Sequence, residues 1–160
     1  MQKGINWNQI KLPIMGENYY LALFSKETWE EFLKNKSLVY GTTKNKITRM
    51  KNIEAGSYLI CYISKISCFV GVLQTNSKAY YDEEKIWEND TFPVRVKVKT
   101  IHKLELDQGI FAKELKNDLQ IFSRLKNPKR WGGFFHNSLN KIPCDDAEKI
   151  IQKIIEKEKR

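Results

Sequence analysis

The stretch from Gly56 to Leu73 constrains the fold more than any other part of the chain. It reads Gly-Ser-Tyr-Leu-Ile-Cys-Tyr-Ile, then Ser-Lys-Ile-Ser, then Cys-Phe-Val-Gly-Val-Leu. Two runs of β-branched and aromatic residues around a short polar link predict a β-hairpin, with residues 57–63 antiparallel to 68–74. Neither run alternates between apolar and polar residues, so both faces of the hairpin are expected to be covered. Gly71 interrupts the second run. A glycine inside a strand marks either a β-bulge or a close approach of other atoms, and both readings stand at this point.

The rest of the chain arranges itself around this hairpin. Tyr19 to Phe24 has the composition of a buried strand. Ser25 suits a helix N-cap, with Glu27, Glu30 and Glu31 near the positive end of the helix dipole. Trp29, Phe32 and Leu33 form that helix's apolar stripe, which makes Trp29 a core residue. Leu38 to Thr42 is a short apolar run containing a glycine. Lys44, Lys46, Arg49 and Lys51 follow, interleaved with Ile47, Met50 and Ile53 at helical spacing; this half-helix could cradle a phosphate or form a solvated face. From Phe92 to Ile101, Val94, Val96 and Val98 alternate with Arg95, Lys97 and Lys99. The valines should face the core, and the cations should form a ladder that also guards a sheet edge. Leu115 to Phe122 reads as a short helix or turn. Arg124 to Gly133 is the densest basic cluster and contains Trp131, a combination suited to an extruded or single-stranded nucleotide. A last helix carries Ala147, Ile150, Ile151, Ile154 and Ile155 on one stripe, with Asp145 and Asp146 at its start. Strands in the middle with flanking helices predict an α+β domain around a curved sheet or small barrel.

At 160 residues and an apolar share of 41%, the chain suits one globular domain, placed at 18–160 after an extension at 1–17. No apolar run approaches the roughly 18 residues of a membrane span, and the first residues lack a signal-peptide core. The expectation is a cytoplasmic monomer with no membrane partner. Three cysteines in no metal-binding spacing argue against a disulfide scaffold. A net charge of +9 favours a polyanionic partner, although a generally lysine-rich composition would produce the same balance.

Motifs for catalysis are missing from the sequence. His102 and His136 have no ligand-spaced companions, and neither a phosphate-cradling glycine loop nor a nucleophile elbow occurs. Asp82, Glu83 and Glu84 are adjacent in a loop and read as a solvated turn. The inventory points away from an enzyme, a metal site or a cofactor.

The order of these pieces resembles the EVE-domain family, small proteins with a PUA-like fold related to YTH domains. The resemblance runs through Tyr19-Tyr20-Leu21 to Ser25 and Trp29, Val39-Tyr40-Gly41, and Ile53-Glu54-Ala55-Gly56. It continues through Phe69-Val70-Gly71, Ser77 with Tyr80-Tyr81-Asp82, Trp87, Phe92-Pro93-Val94-Arg95-Val96 and Lys129-Arg130-Trp131. It spans roughly residues 18 to 155. The resemblance implies a curved mixed β-barrel flanked by helices, no cofactor, and an aromatic pocket for modified bases. In YTH-like relatives a tryptophan before a small-residue corner forms one pocket wall; Tyr40 stands at that position here. Lys26 stands where YTH domains place a side chain that reads the base edge, and a lysine can only donate. Gly56-Ser57 replaces the family's usual glycine-aspartate pair, and residues 1–17 have no counterpart.

The functional expectation is a non-catalytic reader of a modified, methylated base, in DNA ahead of RNA. Tyr40 with Trp87 or Tyr81 would sandwich the base, while Ser25, Lys26, Gly41 and Thr42 contact its edge. Lys44, Arg49, Lys126, Arg130 and Trp131 would hold the flanking phosphates. An RNA-binding module without modification selectivity is the alternative, and a small hydrolase or transferase is a third reading from another class.

Overall fold

The computed structural model describes residues 18–35, 38–123 and 134–159. The extension at 1–17 lies outside them, as do Lys126, Arg130 and Trp131.

The hairpin is present. Strands β3 (Tyr58–Ile63) and β4 (Cys68–Thr75) pair antiparallel. All of β3 beyond Tyr58 is buried, and so is all of β4 except Gln74. Both readings of Gly71 are realised together. Register shifts fall beside it, between Cys61 and Tyr62 on β3 and between Val72 and Leu73 on β4. A methyl group at Gly71 would also lie 2.9 Å from both Trp29 Cη2 and the His102 carbonyl oxygen, so only glycine fits under that indole.

Strand β1 (Tyr19–Phe24) joins β3 in parallel, and the two-residue β8 (Lys141–Ile142) pairs antiparallel with β1. The crossover from β1 to β3 carries helix α1 (Lys26–Lys34), strand β2 (Val39–Thr42) and helix α2 (Ile47–Lys51). On the other side of the hairpin, β6 (Val94–Lys103) pairs with β4 and carries β2 beyond it. The short β5 (Tyr80–Tyr81) pairs with β6, and β7 (Ile110–Phe111) pairs with β4. The sheet order is β2-β6-β4-β3-β1-β8. Three strands therefore separate β2 from β1, yet the Tyr40 hydroxyl donates to the Leu23 carbonyl at 3.3 Å. Only a curled sheet brings these strands together. The result is a half-barrel of mixed strands with flanking helices, an α+β fold of the PUA-like kind.

Apolar residues cover both faces of the sheet. Helix α4 (Cys144–Glu158) lays Ala147, Ile150, Ile151, Ile154 and Ile155 against Tyr19, Leu21, Ile60 and Val72. On the other face Trp29, Phe32 and Met50 pack with Val94, Val96 and Val98. Full burial of each such aliphatic side chain contributes about 1.5–3 kcal/mol. Trp29 is core as expected, and its indole N–H donates to the Leu104 carbonyl at 3.0 Å. Ser25 caps α1, its hydroxyl accepting from the Thr28 amide at 3.0 Å. The 115–122 region resolves into a 3-10 turn, Ala112–Leu115, and the short helix α3 (Gln120–Ser123). The buried Asp146 carboxylate in α4 accepts from the Gln120 and Ile121 amides at 2.7 and 2.9 Å, tying the two helices together.

One element of the alternating strand departs from expectation. Lys97 and Lys99 are exposed, but Arg95 is only 1% exposed and takes no part in a surface ladder. The loop between β5 and β6 folds over it.

Candidate functional site

The curl leaves a cavity of about 310 Å³ at its seam, near the small end of the range for ligand pockets, about 300–1,000 Å³. Four parts of the chain meet there. The end of β1 and start of α1 supply Phe24, Ser25 and Thr28; β2 supplies Tyr40, Gly41 and Thr42. The β5–β6 loop brings Trp87, Asp90 and Phe92, and the segment before β8 brings His136 and Ser138.

Trp87 and Phe92 pack edge to face, with ring centroids 5.2 Å apart. Trp87 lies so close over Gly41 that a methyl group there would overlap its Cη2 atom. Gly41 is therefore the surface on which the indole rests. Behind the indole, the Arg95 guanidinium sits 5.1 Å from the ring centroid, within cation–π range. The same guanidinium donates to the carbonyls of Glu84, Thr91 (3.0 Å) and Phe92 (3.1 Å). It also pairs with Asp82 at 3.6 Å, so this carboxylate belongs to a folded loop and not to a free turn. Phe92 has a φ of 42°, a costly conformation for a non-glycine residue, and the Arg95 bond to its carbonyl helps hold it there. One buried cation thus organises the pocket's aromatic wall.

Tyr40 is nearly fully buried. Its hydroxyl lies 2.6 Å from Ser138 Oγ, and its ring is 5.2 Å from Phe24 at a 55° tilt. Burial raises its phenol pKa far above 10.0, outweighing the lowering by its hydrogen bonds. Tyr40 and Trp87 thus line one cavity, but Tyr40 packs on Phe24 and Trp87 on Phe92.

The remaining expected residues divide. Ser25, Gly41 and Thr42 line the cavity, although the Ser25 hydroxyl is already engaged as the helix cap. Lys26 and Tyr81 are not among its lining residues: Lys26 is exposed in the first turn of α1, and Tyr81 is 47% exposed on β5. The alternation of a two-residue strand turns Tyr81 outward while its neighbour Tyr80 is half-buried. Lys44 and Arg49 are exposed, and Arg49 donates to Asn140 Oδ1 at 2.8 Å. Lys46 reaches the cavity itself. Sequence reasoning did not assign Asp90, Phe92, Arg95, His136 or Ser138 to a site, and gave Lys46 only as part of a basic half-helix that could cradle a phosphate. Arg95 alternates with the valines just as Lys97 and Lys99 do, so no signal in the sequence set it apart.

The cavity combines an aromatic wall, small hydroxyl side chains, the charged groups of Lys46 and Asp90, and the imidazole of His136. Among the described residues, no cluster of three or more histidine, cysteine or carboxylate side chains could hold a metal ion.

Residues 18–153 match the family model of the EVE domain. The chain belongs to the EVE-domain family. This EVE domain also shares its fold with solved YTH domains. The YTH domain of Mmi1, solved with RNA, superimposes with a TM-score of 0.62 at 16% identity, over 86% of this chain and 81% of that one. The YTH domain of Zygosaccharomyces rouxii MRB1, solved with N6-methyladenosine RNA, gives 0.62 at 17% identity, over 86% of each chain. Rpa0253 from Rhodopseudomonas palustris gives 0.57 at 14% identity, over 86% of this chain and 92% of that one. No curated protein matches the chain. At these identities the likeness is one of fold.

Proposed function

We propose that this EVE domain is a non-catalytic reader of a modified, methylated nucleobase, taken into the seam cavity from DNA or RNA. The observation that carries the reading is the Trp87–Phe92 wall laid over Gly41 beside a polar rim. This arrangement suits a flat ring with a polar edge. YTH domains of the same fold have been solved with RNA, in one case with N6-methyladenosine RNA, which supports the same class of ligand here. The net charge of +9 suits a polyanion. In this reading Trp87 stacks on the base, with Phe24 and the edge of Tyr40 closing the opposite side. Thr42, Asp90 and backbone groups meet the base edge. Lys44, Lys46 and Arg49 hold the flanking backbone, and the basic run with Lys126, Arg130 and Trp131, outside the described residues, supplies further phosphate contacts.

The energetics demand a closed pocket. Extruding a base from a duplex costs a few kcal/mol. Aromatic stacking returns about 1–3 kcal/mol per base. One buried methyl adds about 0.8 kcal/mol, roughly a fourfold preference. The test is a titration of matched DNA and RNA oligonucleotides carrying methylated adenine, methylated cytosine or neither. Wild type should prefer one methylated base by at least about fourfold, and Trp87→Ala should bind all of them weakly and alike. Equal binding by wild type would sink the reader hypothesis and leave a nucleic-acid module without modification selectivity.

A further inference from the structure

A second cavity, about 430 Å³, adjoins the first and shares Leu23, Ser64 and His136 with it. It adds Lys65 and Ser67 from the β3–β4 turn and the buried rings of Tyr62 and Phe135. Those two rings stack with centroids 4.3 Å apart and planes 14° apart, which makes a fixed floor. The two cavities differ in charge. Asp90 and Lys46 line the first with opposite charges, whereas among the described residues of the second there is no carboxylate and Lys65 is its lysine.

We propose that the second cavity is a subsite for the phosphodiester next to the base held in the first. This inference rests on the base-reading function. An extruded nucleotide carries a phosphate on each side of its sugar, so an anion must lie just beyond any pocket that takes its base. In the first cavity that anion would meet Asp90, a like charge that offsets Lys46. Across Ser64 and His136 it meets an ammonium group and hydroxyl donors instead. The strand therefore crosses the shared rim, with its base in one cavity and one neighbouring phosphate beside Lys65, His136, Ser64 and Ser67. The β3–β4 turn is then a binding loop as well as a connection, and the strand has a fixed direction across the domain.

The experiment uses the full chain and defined small probes. These are 5-methyl-2′-deoxycytidine and N6-methyl-2′-deoxyadenosine, their 5′- and 3′-monophosphates, and a trinucleotide with an abasic centre. Affinities come from calorimetry, and amide shifts of residues 64–67 report on the turn. A phosphate on one side only, 5′ or 3′, should tighten nucleoside binding by about fivefold, as for one partly exposed charge-assisted hydrogen bond. Lys65→Ala should remove that increment without changing nucleoside affinity, and Lys65→Arg should keep it. An increment that survives in Lys65→Ala, or that is equal for both phosphates, overturns the subsite. If no methylated nucleoside binds, the base-reading function fails, and the abasic trinucleotide decides the subsite alone. Salt-sensitive shifts at 64–67 that disappear in Lys65→Ala support it, and unmoved amides overturn it.

Discussion

Tyr40 and Ser138 close the sheet at its seam. The two hydroxyl oxygens are 2.6 Å apart, although β2 and the segment before β8 lie at opposite ends of the strand order. A single donor direction satisfies the whole local circuit. The Leu23 amide donates to Ser138 Oγ at 3.4 Å, Ser138 donates to Tyr40, and Tyr40 donates back to the Leu23 carbonyl. One phenol therefore joins three elements and forms part of the cavity they enclose.

Removing that hydroxyl should loosen the seam. Tyr40→Phe keeps the ring and its packing on Phe24 but removes the donor to the Leu23 carbonyl and the acceptor for the Ser138 hydroxyl. A loss of about 1–2 kcal/mol is expected in urea titrations. A loss below a few tenths would mean that the ring alone closes the barrel.

The same group makes the fold sensitive to alkali. Burial raises the Tyr40 phenol above 10.0, lifts the Cys61 thiol well above 9.0, and lifts Cys68 to about 11. Each is raised in the folded state, so its contribution is complete below the unfolded-state value and is lost as pH rises towards the folded one. Thermal stability should hold up to about pH 9 and then fall as thiols, and later phenols, ionise in the unfolded chain. Replacing both cysteines with alanine should delay the onset, and Tyr40→Phe should flatten the decline above pH 10. A melting profile unchanged by either replacement would rule out these groups as the cause.

Arg95 should matter more than its position in a strand suggests. Arg95→Met keeps the apolar stem but strips the donors from the Glu84, Thr91 and Phe92 carbonyls. It should cost about 3 kcal/mol and free the loop that carries Trp87. Arg95→Lys retains the charge without the planar fork and should fall between the two. Proteolysis of the 82–92 loop is the measurement, and an equal rate in all three proteins would refute the role.

Arg95 also shows where sequence reading stops. The period of two placed Val94, Val96 and Val98 correctly, because strand alternation is local. It also placed Arg95 on the surface, because nothing local reveals that a distant loop will cover one position. The Ser25 cap was legible for the same local reason, whereas the Asp146 cap on α3 spans 25 residues and was not. Parallel pairing of β1 with β3 and the two-residue strand β8 depend on the tertiary arrangement. So does the cavity: Tyr40, Gly41, Thr42 and Trp87 could be named from the resemblance, but Asp90, His136 and Ser138 meet them only through the curl. Lys26 follows the cavity residue Ser25 in sequence but does not line the cavity, and neither does Tyr81.

The basic rim can be separated from the cavity by salt. Lys46 lines the cavity and Lys44 is exposed on the same 3-10 turn, Lys44–Lys46, while Lys126 and Arg130 lie outside the described residues and are tested as a separate pair. Reversing each charge pair should reduce the slope of log affinity against log salt. The reduction is about 0.9 for each duplex phosphate that is no longer neutralised, or about 0.7 for a single strand. Arg49 is a poorer probe because it also anchors Asn140. A slope unchanged by reversing Lys44 and Lys46 would make them ordinary solvated surface.

Gly41 offers the sharpest test of the pocket, because its role depends on space and not on charge. Its own burial is partial and its φ lies outside the left-handed region, so alanine suits the backbone. The added methyl nonetheless overlaps Trp87 Cη2 and lies 3.0 Å from Phe92 Cβ. The backbone of β2 is fixed by pairing with β6, with Gly41 opposite Arg95, so the indole must give way. Overpacking of this kind costs about 1–3 kcal/mol. Displacing Trp87 should also remove the stacking surface, worth about 1–3 kcal/mol per base, and with it any preference for a methylated base. Salt-sensitive binding of the backbone should persist, because Lys44, Lys46 and Arg49 are untouched. The Trp87 signal in fluorotryptophan NMR, assigned through Trp87→Phe, should shift in Gly41→Ala without ligand. If it does not move and selectivity survives, the indole does not rest on Gly41 and the base wall lies elsewhere.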